Sequence, residues 1–169
     1  MDAEKLGEMA DWELAQGVTT WYPTTMTMGI DAVAAATAVD IDLGHGANIP
    51  GFHMEGPFIN LKYKGAQNPE YIKNPDPQEY AKFVEAGEGT VRRISYAPEL
   101  PGAMELTEYL GEQDIVASYA HTDAVYSEIK PLIDKGCRLA THLYSGMNTV
   151  TRRNCMRHLG GVETTFLED

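Results

Sequence analysis

Asp114-Ile115-Val116-Ala117-Ser118-Tyr119-Ala120-His121 reads as a strand with chemistry at its end. A run of β-branched, small and aromatic residues closes on one imidazole, and Thr122-Asp123-Ala124 then offers a helix start. Two other stretches repeat the pattern. Ile49-Pro50-Gly51-Phe52-His53-Met54-Glu55 ends on a carboxylate before Gly56-Pro57-Phe58, and Cys137-Arg138-Leu139-Ala140-Thr141-His142 ends on a second imidazole. Parallel α/β architectures gather their polar chemistry at the carboxyl ends of strands. One carboxylate and two imidazoles leave an open position on a zinc-like ion, the ligand pattern of a catalytic rather than a structural site. Glu55, His121 and His142 are therefore candidate metal ligands.

Outward from these runs the chain alternates helix and strand. Asp2 to Gln16 has helical spacing at Leu6, Met9, Glu13 and Leu14 and is stopped by Gly17. Val18 to Pro23 is a β-rich run, Ala32 to Val39 an alanine-rich helix, and Ile49 to Glu55 the next strand. Asp76-Pro77-Gln78-Glu79 is a helix start in which Asp76 caps, Pro77 suits the first position and Glu79 completes a capping box. That helix runs to Ala86 and stops at Gly87. Strands over Val91–Tyr96, Ile115–Ala120 and Arg138–His142 then alternate with helices over Gly102–Leu110 and Ala124–Lys135. The rhythm predicts a parallel sheet with right-handed crossovers. Five strands do not close an eight-stranded barrel, which takes ~250 residues, and an open doubly wound sheet competes at this level. The stretch from Phe58 to Asp76 is long for a connection and reads as a functional loop.

Composition limits the function classes. The chain has 169 residues with 43% apolar and 22% charged content, ordinary for a single globular domain. Its formal charge is −12, from 13 basic and 25 acidic residues, which argues against nucleic-acid and anionic-membrane partners. Two cysteines, Cys137 and Cys155, make neither a disulfide framework nor a thiolate metal site. The start Met1-Asp2-Ala3-Glu4-Lys5 lacks the basic and apolar regions of a signal peptide, and the expected location is cytoplasmic.

Gly51-Phe52-His53-Met54-Glu55-Gly56-Pro57-Phe58, Lys64-Gly65-Ala66-Gln67-Asn68-Pro69, Tyr96-Ala97-Pro98-Glu99 and Thr141-His142-Leu143-Tyr144-Ser145-Gly146-Met147 together resemble the N-acetylglucosamine-6-phosphate deacetylase family of the amidohydrolase superfamily. Their order and spacing resemble it from about Gly17 to Leu167. The resemblance implies a partial (β/α)8, TIM-type barrel of about five parallel strands, with the first strand and the last two or three missing. It makes residues 1–169 the central segment of such a barrel.

The resemblance further implies that Glu55, His121 and His142 hold one divalent ion, usually zinc, which polarises an amide carbonyl and lowers the pKa of water. His53 would orient Glu55 through a hydrogen bond. Ala66, Gln67, Ser145, Gly146 and Arg153 would contact an amino-sugar phosphate, with Arg152 as the alternative to Arg153. Relatives place His where this chain has Gln67, and Asn-Ala where it has Ser145-Gly146. Gln67 keeps hydrogen-bonding capacity without a titratable charge.

The family's general base, an Asp at the eighth strand, has no counterpart here, and neither Asp123 nor Asp169 takes its place. The isolated chain is therefore expected to be inactive. Open strand edges predict a homodimer or higher oligomer. The competing functional readings are a non-catalytic metal- or sugar-phosphate-binding module and an amidohydrolase with another N-acetylated substrate.

Overall fold

The computed structural model describes residues 2–168, so Asp169 lies outside the described residues. Its strands are β1 (Thr24–Thr25), β2 (Phe52–Glu55), β3 (Val91–Tyr96), β4 (Val116–Tyr119) and β5 (Leu139–Ala140). All five pair in parallel, in the order β1-β2-β3-β4-β5. The connections run through α2 (Ile30–Thr37), α3 (Pro77–Ala86), α4 (Ala103–Glu112) and α5 (Tyr126–Asp134). Spatial order equals chain order, so every crossover steps the same way. A doubly wound sheet must reverse at a switch point. That competitor is thereby excluded, and the fold is a five-strand arc of a TIM-type barrel. The helix α1 (Ala3–Ala15) precedes the sheet. A hairpin, β6 (Thr151–Arg153) with β7 (Met156–His158), and α6 (Gly161–Leu167) follow it.

The core lies between one face of the sheet and the crossover helices. Met54, Ile94, Tyr96, Ala117 and Tyr119 pack against Phe83, Leu106, Leu110 and Ile129, all buried. Burial of side chains of this size contributes ~1.5–3 kcal/mol each. The alternation of the pleat sends His53, Glu55, Arg93, Ser95 and Ser118 to the other face. In β3 the partner of Phe52 is Val91 and that of His53 is Arg93, so Arg92 is the extra residue of a β-bulge. The bulge resets the alternation and brings Arg93 and Ser95 onto the face shared with His53 and Glu55.

Several boundaries differ from the sequence reading for identifiable reasons. The first strand forms at Thr24–Thr25 rather than over Val18–Pro23. The earlier run makes a single isolated bridge, Thr20–Asn48, in which the Trp21 N–H donates to the Asn48 carbonyl and the Asn48 N–H to the Thr19 carbonyl. Pro23 has no N–H to give; its carbonyl accepts from the His53 N–H at 3.0 Å, and regular pairing begins after it. The strand expected from Ile49 starts at Phe52, after Pro50 and Gly51. Asp76 does cap α3, accepting from Gln78 N and Glu79 N. Glu79 does not complete a capping box, because its carboxylate pairs with Lys73 at 2.7 Å. In α1, Leu6 and Ala10 are buried while Met9 and Leu14 are exposed. The Phe58–Asp76 stretch is a long loop with two short 3-10 turns, Leu61–Tyr63 and Pro69–Tyr71. No described helix is long and apolar enough to cross a membrane.

Candidate metal centre

Glu55, His121 and His142 come together at the carboxyl ends of β2, β4 and β5, with ligand atoms within 4.8 Å of one another. Glu55 Oε1 lies 3.0 Å from His121 Nε2 and 3.7 Å from His142 Nε2. The two Nε2 atoms are 3.1 Å apart. Each ring turns its other nitrogen to a backbone carbonyl: His121 Nδ1 to Tyr63 O at 2.7 Å, His142 Nδ1 to Ser145 O at 2.8 Å. A carbonyl only accepts, so each Nδ1 carries the hydrogen and donates it. Neutral rings then face each other, and Glu55, with Nε2 lone pairs. Acceptors at 3.0–3.7 Å repel unless a proton or a cation lies between them. The donor set fits a divalent ion that takes imidazole and carboxylate.

Local backbone geometry aims the imidazoles. His121 (φ 46°) and His142 (φ 39°) both adopt the left-handed conformation that L-residues rarely take. Such residues cost on the order of 1–3 kcal/mol each and persist where the surroundings enforce them. Here they turn the chain sharply out of the strand and return the ring over its end. Gly146, also left-handed at φ 63°, lets its loop lie against His121, where a Cβ would stand 3.0 Å from Nδ1. A side chain there meets both a strained backbone and the imidazole.

The electrostatics follow from the same contacts. The hydrogen bond with His121, opposed by burial, holds the Glu55 carboxyl below the usual carboxylate range. Burial pushes the His121 imidazole down, but its bonds to Glu55 and the Tyr63 carbonyl outweigh this and its pKa rises. Both shifts belong to the metal-free cluster, where a proton between His121 Nε2 and Glu55 Oε1 takes the place between acceptors that a cation would fill.

The other sequence candidates divide. Gln67 is buried and fully engaged: Nε2 donates to Glu55 Oε1 at 2.8 Å, and Oε1 accepts from Thr27 N at 2.7 Å. It orients the carboxylate, the task assigned to His53 from the sequence. His53 makes no hydrogen bond to Glu55. Its Nδ1 accepts from Arg93 Nη2 at 2.8 Å, and its Nε2 meets Ser95 Oγ at 2.7 Å. The two-residue spacing put both side chains on one face, but His53 sits deeper, where its partners are Arg93 and Ser95 on β3 and, at 3.1 Å from Nδ1, the Thr24 hydroxyl on β1. Ala66 and Ser145 are exposed on loops whose neighbours Gly65 and Gly146 approach the His121 ring. Arg153 is held within the chain, by Glu128 at 3.1 Å and by the Asp123 carbonyl, while Arg152 is exposed. The Tyr63 carbonyl and the Thr27–Gln67 link were not foreseen. Both lie in loops whose paths carry no periodic signal. His45 pairs with Asp11 at 2.8 Å on the surface, and Cys137 and Cys155 are free thiols.

The fold and the cluster define the chain as a segment of a (β/α) barrel carrying a carboxylate–bis-histidine centre at the carboxyl ends of its strands. Over most of its length it is related to the N-acetylglucosamine-6-phosphate deacetylases, which its curated and structural neighbours consistently name. It is 29% identical over 148 residues to that of Lysinibacillus sphaericus (83% of this chain, 38% of that protein). It is 30% identical over 145 residues to that of Bacillus subtilis (82% and 37%). An N-acetylgalactosamine-6-phosphate deacetylase of Escherichia coli O157:H7 is 28% identical over 152 residues (88% and 40%). The Mycobacterium smegmatis N-acetyl-D-glucosamine-6-phosphate deacetylase superposes with a TM-score of 0.86 at 30% identity, over 96% of this chain and 42% of that one. A mutant of that enzyme in complex with N-acetyl-D-glucosamine-6-phosphate superposes equally well. No family model matches the chain. The chain spans about 40% of the length of the curated relatives it matches.

Proposed function

We propose that this chain supplies the metal-binding core of a cytoplasmic deacetylase that hydrolyses the acetamide of N-acetylglucosamine 6-phosphate, giving glucosamine 6-phosphate and acetate. The observation that carries the reading is the convergence of Glu55, His121 and His142, with both Nδ1 atoms committed to carbonyls and both Nε2 atoms turned inward. A zinc ion held there contributes Lewis acidity toward an amide carbonyl and makes water ionisable near neutral pH. Glu55 and the two imidazoles hold the ion. Gln67 keeps the Glu55 carboxylate oriented, and the two carbonyl acceptors keep the rings in the tautomer that offers Nε2.

In this reading Ala66, Ser145 and Gly146 contact the sugar, and Arg153 exchanges its Glu128 contact for the phosphate. Glu55 is the only carboxylate of the cluster among the described residues and is already a ligand, so proton transfer to the departing amine has no donor there. The isolated chain therefore binds but does not turn over. The sheet edges β1 and β5 are open, and the chain associates as a dimer or higher species. Light scattering at micromolar concentration tests this, and a clean monomer speaks against it.

The decisive experiment is elemental analysis after dialysis against zinc and then buffer, beside a His121→Ala, His142→Ala double variant. One zinc per chain, absent from the variant, supports the centre; none in either sinks it. Calorimetry of the zinc-loaded chain with N-acetylglucosamine 6-phosphate, its galacto epimer and unphosphorylated N-acetylglucosamine then tests the substrate. Equal binding of all three, or none, leaves a metal-binding module and removes the deacetylase reading. The galacto arm is warranted because a relative named for that epimer matches 88% of this chain. Turnover by the pure chain that survives in Glu55→Gln would overturn the assignment of Glu55.

A further inference from the structure

We propose that Glu99 is a positioning residue for the metal centre, acting through a closed circuit of hydrogen bonds around His121. Glu99 lies in the loop after β3 and touches no member of the cluster. Its Oε1 accepts from Asn60 Nδ2 at 2.8 Å and from the Asp123 N–H at 2.7 Å, and its Oε2 accepts from Thr122 Oγ at 2.6 Å. One carboxylate thus ties the loops that follow β2, β3 and β4.

Each of those partners acts on His121. Thr122 and Asp123 are the next two residues along the chain. Asn60 holds His121 twice. Its backbone N–H donates to the His121 carbonyl at 2.9 Å, and its Oδ1 accepts from Lys62 N at 2.8 Å. The second bond starts the 3-10 turn Leu61–Tyr63, whose last carbonyl receives the His121 Nδ1 hydrogen. Glu99 therefore fixes both the left-handed backbone of His121 and the acceptor that sets its ring tautomer.

The chemistry requires a carboxylate at this position. All three groups facing Glu99 are donors, and Thr122 Oγ already accepts from the Ala124 N–H at 2.8 Å, so its own hydrogen points to Glu99. An amide would turn an NH2 toward that hydroxyl and leave its hydrogen without an acceptor. His142 provides a contrast within the same site: its Nδ1 acceptor, Ser145 O, lies on its own loop and makes no bond to a Glu99 partner, the nearest link being the neighbouring Gly146 carbonyl, which accepts from the Thr122 N–H at 3.0 Å.

The metal arm of the test rests on the function proposed above; the exchange arm does not. In the metal-free chain, amide hydrogen exchange is followed by NMR for Glu99→Gln and Glu99→Ala. The expected result is exchange at the Asp123 and Asn60 N–H groups faster by about tenfold or more. The amides of β3 and β4 and the His142 Nδ1 hydrogen remain unchanged. Zinc titration of the same proteins should show affinity reduced about ten- to hundredfold at unchanged 1:1 stoichiometry.

Three results overturn the proposal. Acceleration at Asp123 alone means that the circuit does not reach His121. Uniform acceleration across the core means that Glu99 serves only global stability. Unaltered zinc affinity with a loosened loop means that the clamp does not position the ligand. A parent chain that binds no zinc removes the deacetylase reading, while the exchange data still decide whether Glu99 holds His121.

Discussion

His53 and the pair His121/His142 belong to the same sheet, yet they present opposite tautomers for opposite purposes. At the rim, Nδ1 donates to loop carbonyls and Nε2 is left bare, facing Glu55. Deeper on the same face, His53 Nδ1 accepts from Arg93, so its hydrogen lies on Nε2 and goes to Ser95 Oγ. Ser95 and Ser118 continue through Thr141, with both contacts at 2.7 Å, into a buried polar ladder. The rim has loops beyond the strand ends that satisfy one nitrogen and leave the other open to a ligand. The interior has only neighbouring strands, and the His53 ring and the hydroxyls of Ser95, Ser118 and Thr141 pair with one another, while Arg93 Nε is left without a partner. The lesson is that depth along the strand decides the role: two residues separate a ligand from a structural histidine.

The largest effect expected from this contrast is on metal binding. Removing both rim imidazoles should take zinc from one per chain to none, whereas His53→Ala should keep one zinc per chain. Loss of zinc in His53→Ala, with circular dichroism unchanged, breaks the distinction. The same His53→Ala change should cost about 2–4 kcal/mol in urea denaturation, because it empties a buried position and strands Ser95 and Arg93. Gln67→Ala should lower zinc affinity about tenfold to a hundredfold, since it frees the Glu55 carboxylate without removing a ligand. Affinity equal to the parent's would show that Gln67 serves the loop alone.

The pH response sharpens the comparison. Burial, then the Arg93 charge, pushes His53 down from 6.5 to about 4. Between those values the unfolded chain takes a proton that the folded chain refuses. Stability is therefore fully present above about pH 6.5 and falls as the pH drops toward 4. The loss is on the order of 3 kcal/mol and should be absent in His53→Gln, as seen by denaturant midpoints across that range. Protons also compete with zinc for its ligands, but that loss depends on zinc concentration and the His53 loss does not. The smallest effect is expected from Gly146→Ala, about 1–2 kcal/mol of strain, with zinc affinity weakened several-fold as His121 is displaced. Thermal melts with and without zinc separate the two contributions.

Much of the site was legible because strand ends announce themselves. Apolar runs closing on Glu55, His121 and His142 needed no knowledge of loops, and those three do converge. The assignments that moved were the ones that depended on loops or depth. Gln67 was read as a sugar contact and His53 as the partner of Glu55. The structure gives Gln67 to Glu55 because the 3-10 turns fold the long loop back over β2, and it gives His53 to Arg93 because a bulge resets β3. The hairpin β6–β7 and α6 had no strong periodicity to find. Arg153, read as a phosphate contact, is engaged with Glu128, a pairing between residues 25 apart in sequence.

By itself the sequence determined the alternation of helices and strands, the parallel sheet and the identity of the three ligand candidates. These rest on local periodicity and on residue type, which are properties of short segments. Only the tertiary structure decided the one-way strand order, the left-handed turns at His121 and His142, the tautomer of each imidazole and the clamp centred on Glu99. Those depend on which carbonyl or side chain lies across a gap between loops. Such gaps are set by the packing of the whole sheet, not by any stretch of chain that can be read alone.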